Sequence, residues 1–201
     1  MNNPEYVKVD NEYYKINTDF RVALECNKIA NDKKIGDYER ALKVIYMLFG
    51  EKGLDCKNQN KLIELATKYL ALGNTENSSK NDLKNSHNLD FEKCEKLISS
   101  SFKYDYNYDP YKLDYLHWYD FYTDLENLST SEFGNCCVLN RISSIINYDT
   151  KKIQDSKERQ KMIMLQKDLI AKYCIEETQI SMTETQKQSA KEFYKSIGIE
   201  I

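Results

Sequence analysis

Glycine and proline almost never interrupt this chain: its 201 residues hold 6 Gly and 2 Pro. Both residues disfavour helix interiors, glycine by backbone entropy and proline by a missing N–H and a ring clash. Long stretches rich in Lys, Glu, Leu and Ile therefore have little reason to leave the helical conformation. A 41% hydrophobic fraction is enough to bury a core, so global disorder is not expected. The expected fold class is all-α (mainly helical) with a small N-terminal β-hairpin.

The hairpin signal lies in YVKVDNEYYKI, residues 6–16. Two β-rich runs, Tyr6–Val9 and Tyr13–Ile16, flank Asp10, Asn11 and Glu12. Such a hairpin is barely stable alone and must lean on the helices that follow. Thr18 or Asp19 can cap a helix whose apolar stripe begins with Phe20, Ala23 and Leu24 and closes at Ile29. Asp37 is expected to cap the next, burying Tyr38, Ala41, Leu42, Ile45, Leu48 and Phe49. Gly50 then stands where a left-handed residue ends a helix. Leu62, Leu65, Ala66, Tyr69 and Leu72 mark a third helix, ended by Gly73.

Residues 74–88, NTENSSKNDLKNSHN, have almost no large apolar group and read as a flexible linker. The expected organisation is two helical lobes joined by this polar linker. Residues 1–73 form the hairpin and first lobe, 74–89 the linker, 90–175 the second lobe, and 176–201 a peripheral helical tail. In the second lobe Asp90 can cap a helix with Phe91, Cys94, Leu97 and Ile98 inward. Pro110 breaks the aromatic stretch that follows. Asp114 is the expected cap of a helix carrying Leu116, Trp118, Phe121, Leu125 and Leu128. Thr130 or Ser131 should cap another, with Phe133, Cys137, Val138, Ile142 and Ile145. A charged helix from about residue 155 presents Met162, Leu165, Leu169 and Tyr173 on one side, and a weak last helix opens near Thr183.

Composition excludes several functions. A formal charge of −3 argues against a general nucleic-acid binder, because a phosphate backbone requires a strongly basic surface. No apolar run approaches the ~20 residues that span a bilayer, and the first ten residues lack a signal-peptide pattern. The expected location is the cytoplasm. Six cysteines without a C-x-x-C pair fit buried thiols better than zinc or disulfides. No glycine-rich phosphate loop or nucleophile elbow is present, so no catalytic, cofactor or metal residue is assigned. A helical wheel can place Asp114, His117, Asp120 and Asp124 on one side, as a divalent metal would need; a hydrogen-bonded structural histidine is the plainer account. Arg141, among Val138, Leu139, Ile142 and Ile145, can form a partly buried ion pair or snorkel to solvent.

The aromatic band from Phe102 to Tyr122 has two readings. Half of its rings can be core, with hydroxyls reaching water. Alternatively it is an interaction surface, since Tyr and Trp give large contact area at low entropy cost. Tyr104, Tyr106, Tyr108, Tyr119 and Tyr122 are the candidate partner-binding residues. Phe20, His117, Trp118, Phe121 and Arg141 are the candidate structural ones.

Several segments resemble the bacteriophage gene-product-fifteen family. YYKINTDF (Tyr13–Phe20), completed by Arg21, resembles its E-Y-x-I-x-T-D-F-R opening. Asp37 to Leu54 and the acidic-aromatic DFEKCEKLISSSFKYDYNYD (Asp90–Asp109) follow in order. LDYLHWYDFYTDLENLS (Leu113–Ser129) is similar to an L-H-W-x-x-F-x-x-L-x-x-L block, with Tyr119 where a second tryptophan often sits. The Arg141 helix and Lys157–Lys172 complete a resemblance over roughly residues 6–173.

The resemblance implies a protein of phages or prophages of Gram-positive bacteria, working in the cytoplasm of the bacterial host. It implies a tail assembly chaperone that binds the tape-measure protein and the tail-tube protein, and self-associates as a homo-oligomer. A structural tail component and a small metal-dependent enzyme using Asp114, His117 and Asp120 are the alternatives. A DNA-binding regulator ranks last, for want of a basic recognition face.

Overall fold

The computed structural model describes residues 3–32, 34–73, 89–129 and 137–175. The expected linker, Thr130, Ser131, Phe133, Cys136 and the tail helix near Thr183 lie outside them. The described structure is mostly helical and begins with an antiparallel hairpin of β1 (Tyr6–Val9) and β2 (Glu12–Lys15). Val9 pairs with Glu12, so Asp10 and Asn11 form a two-residue turn, and Asp10 takes a positive φ of 52°. Asp tolerates that conformation and a tight hairpin needs it. The pleat turns Val7, Val9 and Tyr14 inward. A bond from the Asn17 N–H to the Leu48 carbonyl ties the hairpin to the helices.

α1 (Phe20–Asn31) is capped by Asp19, whose side chain accepts from the Arg21 N–H. α2 (Asp37–Phe49) starts after Gly36 instead of being capped by Asp37. Asp37 is already the first helical residue and pairs with Arg40 one turn on. Ile45, Leu48 and Phe49 are buried as the periodicity requires, but Tyr38 is exposed. It lies in the first turn of α2, ahead of the buried residues.

Gly50 ends α2 at φ 67° and ψ −160°, a region a Cβ excludes. The short α3 (Glu51–Leu54), not foreseen, follows at once. Its Gly53 is sterically required: a Cβ there would lie 2.7 Å from Phe49 Cβ and 2.8 Å from Ile45 Cγ2. α4 (Gln59–Leu70) ends before Leu72, which takes a positive φ of 59°.

Asp90 caps a turn whose regular helix, α5, runs Glu95–Tyr106. Asn107, left-handed, ends it. Pro110 then opens a single 3₁₀ turn capped by Asp109. α6 (Trp118–Glu126) is capped by His117, not by Asp114, which lies four residues before its start. α7 (Val138–Ile146) is preceded by Cys137, whose sulfur accepts from the Asn140 N–H. α8 (Ser156–Tyr173), capped by Asp155, buries none of its residues completely. Its half-buried side includes Met162, Ile163, Gln166, Leu169, Ile170 and Tyr173, whereas Leu165, expected inward, is exposed. The Gln166 amide donates to the Ile145, Ile146 and Tyr148 carbonyls and so closes the end of α7.

Residues from both sides of segment 74–89 meet in one buried cluster. At its centre is a pile of rings. Phe121 stacks on Phe20 at 4.3 Å and on Phe102 at 5.5 Å, with Trp118 at 6.1 Å. The Trp118 indole N–H donates to the Leu70 carbonyl at the end of α4. Such stacked pairs add about 0.5–1.5 kcal/mol each beyond their buried area.

Candidate functional site

The structure brings together the two sequence segments that carry the strongest motifs. T-D-F-R (Thr18–Arg21) and L-H-W (Leu116–Trp118) lie side by side in a short antiparallel bridge centred on Asp19 and His117. The Phe20 N–H donates to the Leu116 carbonyl at 3.0 Å, and the Trp118 N–H to the Thr18 carbonyl at 2.8 Å. Two helix starts, α1 and α6, are thereby locked together, each capped by a bridge residue. Free N–H groups at a helix start need such acceptors.

Arg21 closes the arrangement. It forms a bidentate pair with Asp19 and donates to the carbonyls of Leu113 and Asp114. Burial alone would push the Asp19 carboxyl up. The hydrogen bonds and charge of Arg21 outweigh it and hold the group below the usual carboxylate range. Thr18 and Tyr115 hydroxyls bond at 2.6 Å, and Asn3 donates to Asp120. This is a clasp, in which Asp19, Arg21, Thr18 and Tyr115 bond to one another and to the backbone of both segments.

His117 takes its place in the clasp as a cap. Its Nδ1 accepts from the Tyr119 N–H at 3.0 Å, which requires the proton, in the neutral ring, on Nε2. Nε2 is buried without a partner, as is the Tyr69 hydroxyl. Asp120 is held by Asn3, and Asp124 by Tyr108. The four residues of the wheel therefore do not converge, since His117 precedes the helix instead of lying on its face. Among the described residues no His, Cys, Asp and Glu group is placed to hold a metal ion.

The candidate tyrosines separate. Tyr104 is 69% exposed. Tyr106 and Tyr108 are half-buried against Phe102 and donate to the backbone and carboxylate of Asp124. Tyr119 packs on Tyr69, and Tyr122 lies edge-on to Trp118; both are half-buried. Phe20, Trp118 and Phe121 are buried, and Arg141 is exposed on α7. The described cysteines, Cys26, Cys56, Cys94, Cys137 and Cys174, are buried and free. Burial pushes the Cys26 and Cys94 thiols up to about 12.

One concavity was not foreseen, because it is built from residues far apart in sequence. A groove of about 1160 Å³ runs between α1 and the chain entering α5, with α7 at one end. Leu24, Ile29, Phe91 and Tyr111 give it an apolar lining. The Tyr111 hydroxyl is buried and has no partner among the described residues. One rim carries Arg21, Glu25 and Lys28 of α1 with Asp32 and Lys34 just after it; the opposite rim carries Asp90, Glu92, Lys93 and Glu95. Lys28 reaches Glu92 across the groove at 2.8 Å, and that bond holds its ammonium above the usual range. Arg21 belongs to both clasp and groove, so the motif segments hold one wall in place.

The family model for the bacteriophage Gp15 protein matches residues 2–170. The chain belongs to this family. It is therefore a phage protein, and the Gp15 match spans both clasp segments and both groove walls. No curated protein matches the chain, and no solved structure matches it. No helix among the described residues is long and apolar enough to cross a membrane.

Proposed function

We propose that this Gp15-family protein is a tail assembly chaperone that holds an amphipathic helical segment of the tape-measure protein in the groove between α1 and the chain entering α5, the exposed Lys28–Glu92 bridge across it opening to admit the guest. The groove carries the reading: a concavity with apolar lining and charged rims fits the helix-in-groove mode, in which an apolar stripe enters and polar flanks meet the rims. The rims differ in charge: three cations against two acids on α1 and the residues just after it, three acids against one cation opposite. A guest with an acidic flank toward α1 and a basic flank toward α5 fits best. The protein acts in the host cytoplasm, binds reversibly, and yields the tape-measure helix to tail-tube subunits. Many copies on one guest give avidity from modest single contacts. The reading involves no catalysis.

Co-expression of the tagged chain with the tape-measure protein of the same phage tests this, followed by mass spectrometry of purified tails. Capture of the tape measure, with the chain missing from mature tails, is the expected result. Retention in tails at fixed stoichiometry without capture would make it a structural component and overturn the chaperone reading.

A further inference from the structure

The β1–β2 hairpin has a second face that the core does not use. Its register pairs Tyr6 with Lys15 and Lys8 with Tyr13, while Val7–Tyr14 and Val9–Glu12 alternate with them. Side chains two residues apart share a face, so the pleat sorts the hairpin by charge. The inward face takes Val7, Val9 and Tyr14, and Glu12 is turned to the Tyr14 hydroxyl. The outward face is left with two tyrosines and two lysines. Tyr6 is 54% and Tyr13 60% exposed, and Lys8 and Lys15 are exposed with them. The Lys8 ammonium stands 5.5 Å over the Tyr13 ring, which keeps that ring in place as a flat contact surface. Tyrosine is enriched at contact surfaces, whereas lysine belongs to their polar rim and acts there through its charge.

The same chain carries a surface of opposite sign. α6 (WYDFYTDLE) contains Asp120, Asp124 and Glu126 and no basic residue. Asp120 and Glu126 are exposed on its outer side, with Thr123 between them; one Asp120 oxygen accepts from the Asn3 side chain, and Tyr119 and Tyr122 beside them are half-buried. Acids flanked by tyrosine rings on α6 complement cations flanked by tyrosine rings on the hairpin.

We propose that the outward face of the hairpin docks on the outer face of α6 of a second copy of this chain. The pairing sets Lys8 and Lys15 against Asp120 and Glu126, with Tyr6 and Tyr13 lying on the helix surface. The hairpin face is small beside the ~800 Å² per partner of a standard interface, so the association is weak and depends on charge. This contact lies away from the groove, so it does not rest on what the groove binds.

Sedimentation velocity of the full chain at 50 and 500 mM sodium chloride tests it. Four samples are compared: the natural chain, K8E/K15E, D120K/E126K, and an equal mixture of the two variants. Circular dichroism confirms that each is folded. The natural chain associates at low salt, and association falls by about tenfold at high salt as the charges are screened. Each variant alone is monomeric, because its two faces carry like charge. The mixture associates again, because the reversed hairpin of one variant meets the reversed helix of the other. A monomer at all concentrations overturns the proposal. So does association that ignores salt, survives in either variant, or fails to return in the mixture. Capture of single-stranded oligothymidylate by Tyr6 and Tyr13, without self-association, would also overturn it and assign the face to nucleic acid.

Discussion

Trimming the ring pair Phe20–Phe121 tests whether the two motif segments hold the fold together by packing. Both rings are 0% exposed, their centroids are 4.3 Å apart, and their planes differ by 19°. Replacing either with leucine keeps most of the apolar volume and removes the stack. Each single change is expected to cost about 1.5 kcal/mol, the upper end for a size-conserving core swap. Phe121 also loses Phe102 and Trp118 as ring neighbours, so F121L is the more harmful. The double variant loses the Phe20–Phe121 stack only once. It is therefore expected to fall short of the sum of the singles by about 0.5–1.5 kcal/mol. Urea unfolding followed by Trp118 fluorescence and far-ultraviolet circular dichroism gives the values, provided the two probes coincide and the urea slope is unchanged. Additivity within about 0.3 kcal/mol would refute the reasoning.

Three further outcomes follow from local geometry. G53A places a Cβ against Phe49 and Ile45; the overpacking costs about 1–3 kcal/mol and lowers the melting midpoint by roughly 3–10 °C in a calorimeter. An unchanged midpoint would mean α3 shifts freely. Asp19 and Asp109 have depressed carboxyls, Asp19 through Arg21 and Asp109 through Lys103 and Ser99 against the opposing effect of burial. A depressed carboxylate stabilises the fold above its unfolded pKa, near 4, and loses that contribution as pH falls through the folded value. Urea midpoints should therefore drop below about pH 4, and D19N, which can still cap α1, should flatten that drop. Cys26 and Cys94 are buried, with thiols pushed up to about 12. At pH 8 both should resist iodoacetamide until urea unfolds the chain, as peptide mapping will show; fast native labelling would contradict their burial.

The elements legible in the sequence were those with strong local signals. The hairpin followed from β-rich runs around Asp10-Asn11, and α1 from Asp19 and the Phe20–Ala23 spacing. The caps read less well where the capping group was unusual. Gly36, His117 and Cys137 start α2, α6 and α7, although none is the serine, threonine or carboxylate a sequence search looks for. Tyr106 and Tyr108 illustrate the limit for surfaces. Candidate partner-binding residues need exposure, but the turn at Asn107 folds both rings onto Phe102 and their hydroxyls onto Asp124. The groove had no sequence signature at all, since its walls lie about 65 residues apart and carry mixed charge.

Photo-cross-linking from inside the groove tests the central claim most directly. A photoreactive amino acid is placed at position 25 or 92, on the two rims, and at position 164 on exposed Met164 of α8 as a control. Each full-length variant is irradiated during co-expression with the tape-measure protein. The account predicts adducts from positions 25 and 92 to one amphipathic stretch of the tape measure, and none from position 164. Adducts from position 164 alone, or none from the rims while the two proteins still co-purify, would contradict it.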